Sequence, residues 1–534
     1  MKINKKISIP NDRHPRLVRG SRATSKDFCF ISRSPHKAGM TSLIFLITTS
    51  LLNGCSLAPD FAVPDMALPP TFKAAEKDPM LANATQDLSD WKPAVSLEKE
   101  DRGQWWKIFG DDALNDLEKQ AITENNSLKA AAARVEQARG IVRANAFSIL
   151  PNIDLGGNAV RAKSADASNA PFSSAPTSKL KPYNLYSANA ATSYEVDLFG
   201  KVRDTEGAFN FDADAQDALY KNTLLALQAD VAQHYFLLQA IDAERALLKE
   251  TVTVRTEAQR IMQKRLAVGS VSEVELSQSD GDLANAKADL IGLDRQRAVL
   301  ENAMAILLGK NPSEYHFAET PLANTQPPLI PADIPSEVLQ RRPDIASATA
   351  GMAAANERIG VARTAFFPSL ILTANGGTQS TKLADIFKWS SRSWAIGQTA
   401  GSAIALNLLD SGRNLGNLDA AHAAYEEAVA NYRQQVLVAM GDVENALSDQ
   451  KLLAEQSREQ EIAASTSTRA HELTKKRYDN GDVNYFEVVE AQRTMLNANR
   501  AAIQTRGARQ TATISLIRAI GGGWSENISE QPTE

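Results

Sequence analysis

The sequence predicts a mixed, mainly α-helical fold that is internally duplicated, each half joining a strand hairpin to a very long helix. Three observations predict it. Matched segments recur at nearly constant separation along the 534 residues. Two uninterrupted helical stretches run for roughly 66 residues each, about 100 Å at 1.5 Å per residue. Short stretches of apolar–polar alternation precede each of them.

The chain opens on a basic leader. Residues 1–54 hold ten of the 58 Lys/Arg residues, against only Asp12 and Asp27. Ser42 to Leu52 is an apolar run too short to span a bilayer as a helix. It ends at Leu52-Asn53-Gly54-Cys55, so a positive segment, a short apolar segment and a small residue precede the cysteine. That is the pattern of an export signal, and a cysteine at the first mature position makes it look like a bacterial lipobox, with Cys55 the expected site of acylation. Ser56 in place of Asp suits sorting to the outer membrane. Cys29 would leave with the signal, so lipidation accounts for the one cysteine that remains. Each buried acyl methylene adds about 0.8 kcal/mol of membrane attachment.

The duplication is read from four pairs. FSILPNIDLGG at 147–157 matches FFPSLILTANGG at 366–377, with Pro151 and Pro368 separated by 217. VDLFGKVR from Val196 matches LNLLDSGR from Leu406, 210 on. KRLAVGSVSEVEL from Lys264 matches KRYDNGDVNYFEV from Lys476, and Leu307-Leu308-Gly309 matches Ala519-Ile520-Gly521, both at 212. Such a period is far longer than a solenoid repeat and marks a duplicated half-protein.

The elements follow in order. Helices are expected at 125–148, 202–267 and 272–308, and again at 344–367, 413–479 and 484–520. Residues 55–104 read as an extended segment, 105–310 as the first repeat, the proline-rich 311–343 as a linker, 344–523 as the second repeat and 524–534 as a tail. Leu224, Leu227, Val231, His234, Leu238, Ile241, Arg245 and Leu248 keep heptad spacing, as do Val429, Tyr432, Val436, Ala439, Val443 and Ala446.

The strands are expected at 152–159, at 186–198 and at 369–375, with a Gly- and Ala-rich return strand at Trp394 to Leu406. Tyr186 to Leu198 alternates an apolar with a polar face, as a membrane-barrel strand does. Four strands of a soluble sheet lying on helices would alternate likewise. In a bilayer, however, an open edge is not tolerated, and four strands cannot close. Further chains are then required, and the residues do not choose between two and three. The loops at 161–184 and 379–393 would face outside.

Composition excludes several functions. Beyond residue 54, 48 basic and 61 acidic residues remain, which gives no electrostatic reason to bind nucleic acid. No GxSxG, HExxH, Walker or GxGxxG pattern and only six histidines argue against an enzyme, and no cofactor is expected. No methionine cluster argues for copper or silver as cargo. A periplasmic coiled-coil lipoprotein without a pore would explain the anchor, heptads and duplication but not the paired strands.

Several motifs resemble one family. CSLAPD at 55–60, WWKIFGDDAL at 105–114, AARVEQAR at 132–139, YEVDLFGKVR at 194–203 and Arg341-Arg342-Pro343-Asp344-Ile345, continued through Ala355-Asn356, IGVAR at 359–363 and FFPS at 366–369, resemble TolC/OprM-like, NodT-type outer-membrane factor efflux lipoproteins. The chain departs from that family at Asn407-Leu408-Leu409-Asp410, where a Pro-Ile-Phe-Asp-like turn is usual. The resemblance implies a homotrimer with a twelve-stranded outer-membrane barrel and a long periplasmic helical tunnel. It implies docking to a periplasmic membrane-fusion adaptor and to an inner-membrane transporter of RND, MFS or ABC type, with small molecules such as drugs as cargo. A protein-secretion duct of the same architecture is the alternative.

The far helix turns carry the candidate site. Val268-Gly269-Ser270-Val271-Ser272 and Asn480-Gly481-Asp482-Val483-Asn484 lie about 100 Å along the long helices from the strands. Glycine allows the positive φ of a tight turn, and Ser272 and Asn484 can cap the returning helices. The resemblance implies that these tips, with Arg265 and Arg477, contact the adaptor. It also implies that Phe486, Glu487 and Glu490 narrow the tunnel entrance. Gln278 stands in the first copy where Glu490 stands in the second. Glu487 and Glu490 share a helix face, and threefold symmetry would gather their carboxylates into a cation-favouring ring.

Overall fold

The computed structural model describes residues 56–66, 72–73, 104–163, 181–320, 322, 341–396, 402–405, 410 and 412–522. The leader, Cys55 and Asn407 to Leu409 lie outside the described residues.

Trp105–Phe109 form a 3-10 turn that buries both tryptophans, with Trp105 Nε1 donating to Gln228. Asp111 then opens α1 (Asp112–Glu124), its carboxylate accepting from the amides of Ala113 and Leu114. This helix is not among those expected from the sequence. Its cue is Asp111 ahead of Leu114, Leu117 and Ala121, an N-cap followed by an i, i+3, i+7 face. Asn125 ends α1 and caps α2 (Asn126–Ala146), its Oδ1 accepting from the Leu128 amide while its Nδ2 donates to Leu307 O.

Strands β1 (Asn152–Ala162) and β2 (Tyr183–Val196) form the first hairpin and lead into α3 (Lys201–Ala267), followed by α4 (Glu273–Leu307). The second copy runs α5 (Pro343–Thr364), β3 (Ser369–Ser380), β4 (Arg392–Ile396), β5 (Ser402–Ala405), α6 (Arg413–Asp479) and α7 (Tyr485–Ala519). Both long helices have 67 residues and both return helices 35. Gly200 and Gly412 are the N-caps of α3 and α6, so the copies stay 212 apart here. The separation of 210 inferred at this pair is therefore a two-residue slip, caused by aligning Asp197 with Asn407 across turns of different geometry. Asp197 binds the amides of Val202 and Arg203, whereas Asp410 binds those of Gly412 and Asn414.

The sheet is antiparallel in the order β1-β2-β3-β4, with β5 also on β3. The return strand, expected as one run, is described as two segments in different registers: Ala374 pairs Ile396, but Leu372 pairs Ser402. Two residues on β3 thus span six on the return strand, and those between lie outside the described residues. The strands also reach further than the alternation indicated, to Ala162 and Ser380.

The helices lie side by side as an open slab. α3 packs against α2 and α4 on one flank and against α5 and α7 on the other, and α6 packs beyond α5 and α7. Consequently α3 is buried along much of its length, including Val231, Tyr235 and Leu238, while few residues of α6 are. The heptad residues Val436, Ala439, Val443 and Ala446 are among those few, and His234 is half-buried with Nδ1 2.8 Å from the Asp230 carbonyl. Ion pairs stitch the slab: Arg139–Asp217 joins α2 to α3, and Arg500–Glu244 joins α7 to α3.

Arg342 is the central tie. It is buried, chelates Asp344, and donates to Ala519 O and Asp442 Oδ2, both at 3.0 Å. Gln435 adds a bond to Asp344, so one guanidinium–carboxylate pair holds the start of α5 to α6 and to the end of α7.

The segment after Cys55 is locked onto the junction of sheet and helices. Asn356 Nδ2 donates to Pro59 O at 2.7 Å and Arg363 to Leu57 O at 3.0 Å. Gly360 makes this possible: an added Cβ would collide with the Asp204 carboxylate and come within 2.8 Å of the Ala58 nitrogen. Further along, Phe72 is buried in the main core and the Lys73 amide donates to Glu444 of α6.

Candidate functional site at the helix tips

The tips form because each long helix ends in the same hydrogen-bonded turn. The Gly269 amide bonds Leu266 O and the Ser270 amide bonds Arg265 O, both at 2.9 Å. In the second copy Gly481 bonds Tyr478 O and Asp482 bonds Arg477 O, again at 2.9 Å. These paired bonds satisfy carbonyls that a helix end leaves free, and they need a left-handed residue. Gly269 and Gly481 supply it, at φ +72° and +84°.

The return helices start differently. Ser272 and Glu275 make a reciprocal capping box, with the Ser272 amide donating to Glu275 Oε2 at 2.7 Å. In the second copy Asn484 accepts from the Glu487 amide at 3.1 Å, without the reciprocal bond. Glu487 is thus the counterpart of Glu275, yet its exposed carboxylate has no hydrogen-bond partner among the described residues. The carboxylate at the third helical position closes its own turn in one copy and is left for the surroundings in the other.

The two tips are brought together. The Arg265 guanidinium donates to the Tyr478 hydroxyl and sits 5.7 Å from the ring centroid. Tyr478 packs on Tyr485 at 5.9 Å, and Tyr485 bonds the buried Ser279 next to Gln278. Burial raises the Tyr485 hydroxyl pKa, the Ser279 bond opposing it and the Asp282 charge adding to it. Arg255, also buried, donates to Asp282 O at 2.6 Å and braces α3 against α4. So the starts of α4 and α7 lie beside each other, with Gln278, Phe486, Glu487 and Glu490 at one end of the slab.

The side chains differ in readiness. Val268 is 78% exposed and Phe486 53%, both apolar surfaces left to solvent. Arg477, Asn480, Gly481 and Asn484 are exposed too, whereas Val271 and Val483 are half-buried beneath the turns. Glu490 does not stand free beside Glu487. It pairs with Arg493 one turn on, a partner visible in the sequence as an i, i+3 acid–base pair but absent from the sequence reading. Bonding to Glu490 in turn raises the Arg493 pKa. The Tyr485–Ser279 contact joins the two copies and has no local signature.

The comparisons with known proteins agree with this architecture. The family profile "Outer membrane efflux protein" matches residues 117–310 and 334–522, one block per copy. The chain is 30% identical over 485 residues to the cation efflux system protein CusC of Escherichia coli O6:H1, covering 89% of this chain and 97% of that one. It is 29% identical over 496 residues to the toluene efflux pump outer membrane protein TtgF of Pseudomonas putida, covering 92% and 98%. Its structure resembles the crystal structure of the Campylobacter jejuni CmeC outer membrane channel, with a TM-score of 0.79, 30% identity, and coverage of 89% and 96%. Duplicated halves, an antiparallel hairpin sheet on long helices and this likeness make one statement: the chain belongs to the outer membrane efflux protein family and is the outer-membrane channel, the exit duct, of an efflux system.

Proposed function

We propose that three copies close into one duct, their strands making a twelve-stranded barrel and their helices a periplasmic tunnel, and that Cys55 anchors each copy by lipid. The observation that carries this reading is the pair of open edges. On the sheet, β1 and β4 each have one side unpaired among the described residues, while Ile153 and Leu155 are exposed on the apolar face. On the slab, α4 exposes Ile291, Val299 and Ile306 at one edge and α6 exposes Leu437, Leu452 and Ile462 at the other. Apolar surface on two opposite edges suits a ring of like protomers. The clamp on Leu57 and Pro59 supports a lipid at Cys55, since it holds the chain at the level where the helices meet the sheet.

In this reading the tips, with Arg265, Val268, Gly269, Val271, Ser272, Arg477, Asn480, Gly481, Val483 and Asn484, contact a periplasmic membrane-fusion adaptor that links the duct to an inner-membrane transporter. Phe486, Glu487 and Glu490, with Gln278 of the first copy, form the entrance, and Glu487 supplies its charge because Glu490 is held by Arg493. The protein is a conduit for small molecules and carries no catalysis. Planar-bilayer conductance tests this. Wild type should form cation-preferring channels, Glu487→Gln should lose most of that preference at unchanged conductance, and Glu490→Gln should change it less. Anion-preferring channels, or selectivity indifferent to Glu487, would sink the entrance assignment.

A further inference from the structure

The outer end of the sheet carries a feature that conducting cargo does not need. The loop joining β3 to β4 folds on itself: short 3-10 turns span Leu383–Asp385 and Trp389–Ser391, Ser391 Oγ donates to Asp385 O at 2.7 Å, and Ile386 is buried beneath. Yet its large apolar side chains point outward. Leu383 is 63% exposed, Phe387 79%, Trp389 80%, and Trp394 on the adjoining strand 78%. Among them stand Lys382, Lys388 and Arg392, against the single acid Asp385, which Lys388 neutralises at 2.7 Å. The Arg392 guanidinium lies 4.0 Å from the Trp389 ring centroid, a cation–π contact that holds both in place.

The strand registers place this patch. Directly paired residues share a face, so Leu155, Ala190, Gly376 and Trp394 form one row and Gly157, Ala188, Thr378 and Arg392 the next. Trp394 and Arg392 therefore lie on the apolar face that carries Ile153 and Leu155, as does Arg161 by the same alternation. Both strands of the first hairpin and β3 have their helix-bound ends near Val196 and Ser369, so the loop sits at the opposite end, about 40 Å along the twelve residues of β3. Strands of 11, 14 and 12 residues are long enough to cross a bilayer when tilted. The patch thus falls at the outer rim of the lipid-facing surface. Arg161 and Arg392 stand on the two open edges, and closure of the barrel by like protomers joins those edges.

We propose that this rim, Lys382, Arg392 and Arg161 with Phe387, Trp389 and Trp394, binds the phosphorylated headgroup of the outer-leaflet glycolipid, lipopolysaccharide. The aromatic rings enter the acyl–headgroup boundary, where amphipathic rings are favoured. The cations meet the glycolipid's phosphates, for which Arg has a bidentate geometry. A bare aromatic girdle needs no unneutralised cations, and a contact between protomers would bury the rings against protein, not aim them along the lipid face.

The proposal rests on the outer-membrane reading, and the test separates the two. Trp389 and Trp394 are the exposed tryptophans among the described residues, so their emission in the purified full chain in detergent reports binding of deep-rough lipopolysaccharide. Each cation near an anionic lipid surface is worth about fivefold in affinity. The double variant Lys382→Ala/Arg392→Ala should therefore weaken binding of the phosphorylated glycolipid by roughly tenfold or more, leaving binding of the dephosphorylated glycolipid unchanged. Lys382→Arg should retain binding. Equal affinity for phosphorylated and dephosphorylated glycolipid overturns the proposal, as does an unweakened double variant or equal affinity for phosphatidylglycerol. Conductance measured on the same samples guards the basis: channels with no glycolipid preference refute this proposal alone, and a wild type without conductance refutes the duct and the proposal with it.

Discussion

At the scale of single residues, Glu118 on α1 is the least expected group. It is fully buried, and neither carboxylate oxygen has a hydrogen-bond partner among the described residues. Burial pushes its pKa up to about 9. An uncompensated buried charge is far costlier than a neutral acid, so the folded chain holds this carboxyl protonated. The sign follows from proton counting: between the ordinary value near 4.5 and about 9 the folded state binds a proton that the unfolded state has released. Stability from Glu118 is full below the lower value and is lost as pH rises through the upper one. Thermal unfolding followed between pH 5 and 9 should show this decline, and Glu118→Gln should flatten it; parallel profiles for the two proteins would contradict the buried neutral acid. Nothing in the sequence marks Glu118, since it occupies a heptad-like apolar position on a helix whose neighbours are set by the fold.

At the scale of elements, the sequence was most readable where chemistry is local. The helix ends at Gly269 and Gly481 and the caps Ser272 and Asn484 lie where their residue types required, and the long helices begin within a residue of expectation. Reading failed where the determinant is a distant partner. The start of α1 carries a local cue in its Asp111 N-cap, but also a distant tie that no spacing shows: the Tyr235 hydroxyl donates to Asp111 Oδ2 at 2.6 Å from 124 residues away. The split return strand depends on its register with β3, which a Gly- and Ala-rich stretch does not encode. Arg342 belongs to the same class: its motif was visible, but its three anchorages were not. Because Arg342→Ala would leave the half-buried Asp344 without its cation and empty a buried site, it should cost about 3 kcal/mol. Chemical unfolding would measure this, and a loss under 1 kcal/mol would show the tie to be dispensable. Burial and the Arg342 pair act oppositely on Asp344, and the net effect lowers its carboxyl pKa.

At the scale of the whole molecule, the duplication makes two chemically unequal copies from one plan. The separation of 212 holds from Gly200 to Gly522 in backbone geometry, while side chains diverge: Glu275 closes a capping box, Glu487 does not, and Gln278 answers Glu490. The slab is likewise unequal, with α3 buried between neighbours and α6 left at an edge. Two open edges on sheet and slab are a statement about assembly that alternation and heptads only hinted at, because spacing cannot say which faces find partners within the chain. The central claim is that like protomers complete these edges. The mass of the detergent-solubilised particle, corrected for bound detergent, tests it most directly. Three protomers per particle are predicted; a stable monomer or dimer that still conducts would contradict the account.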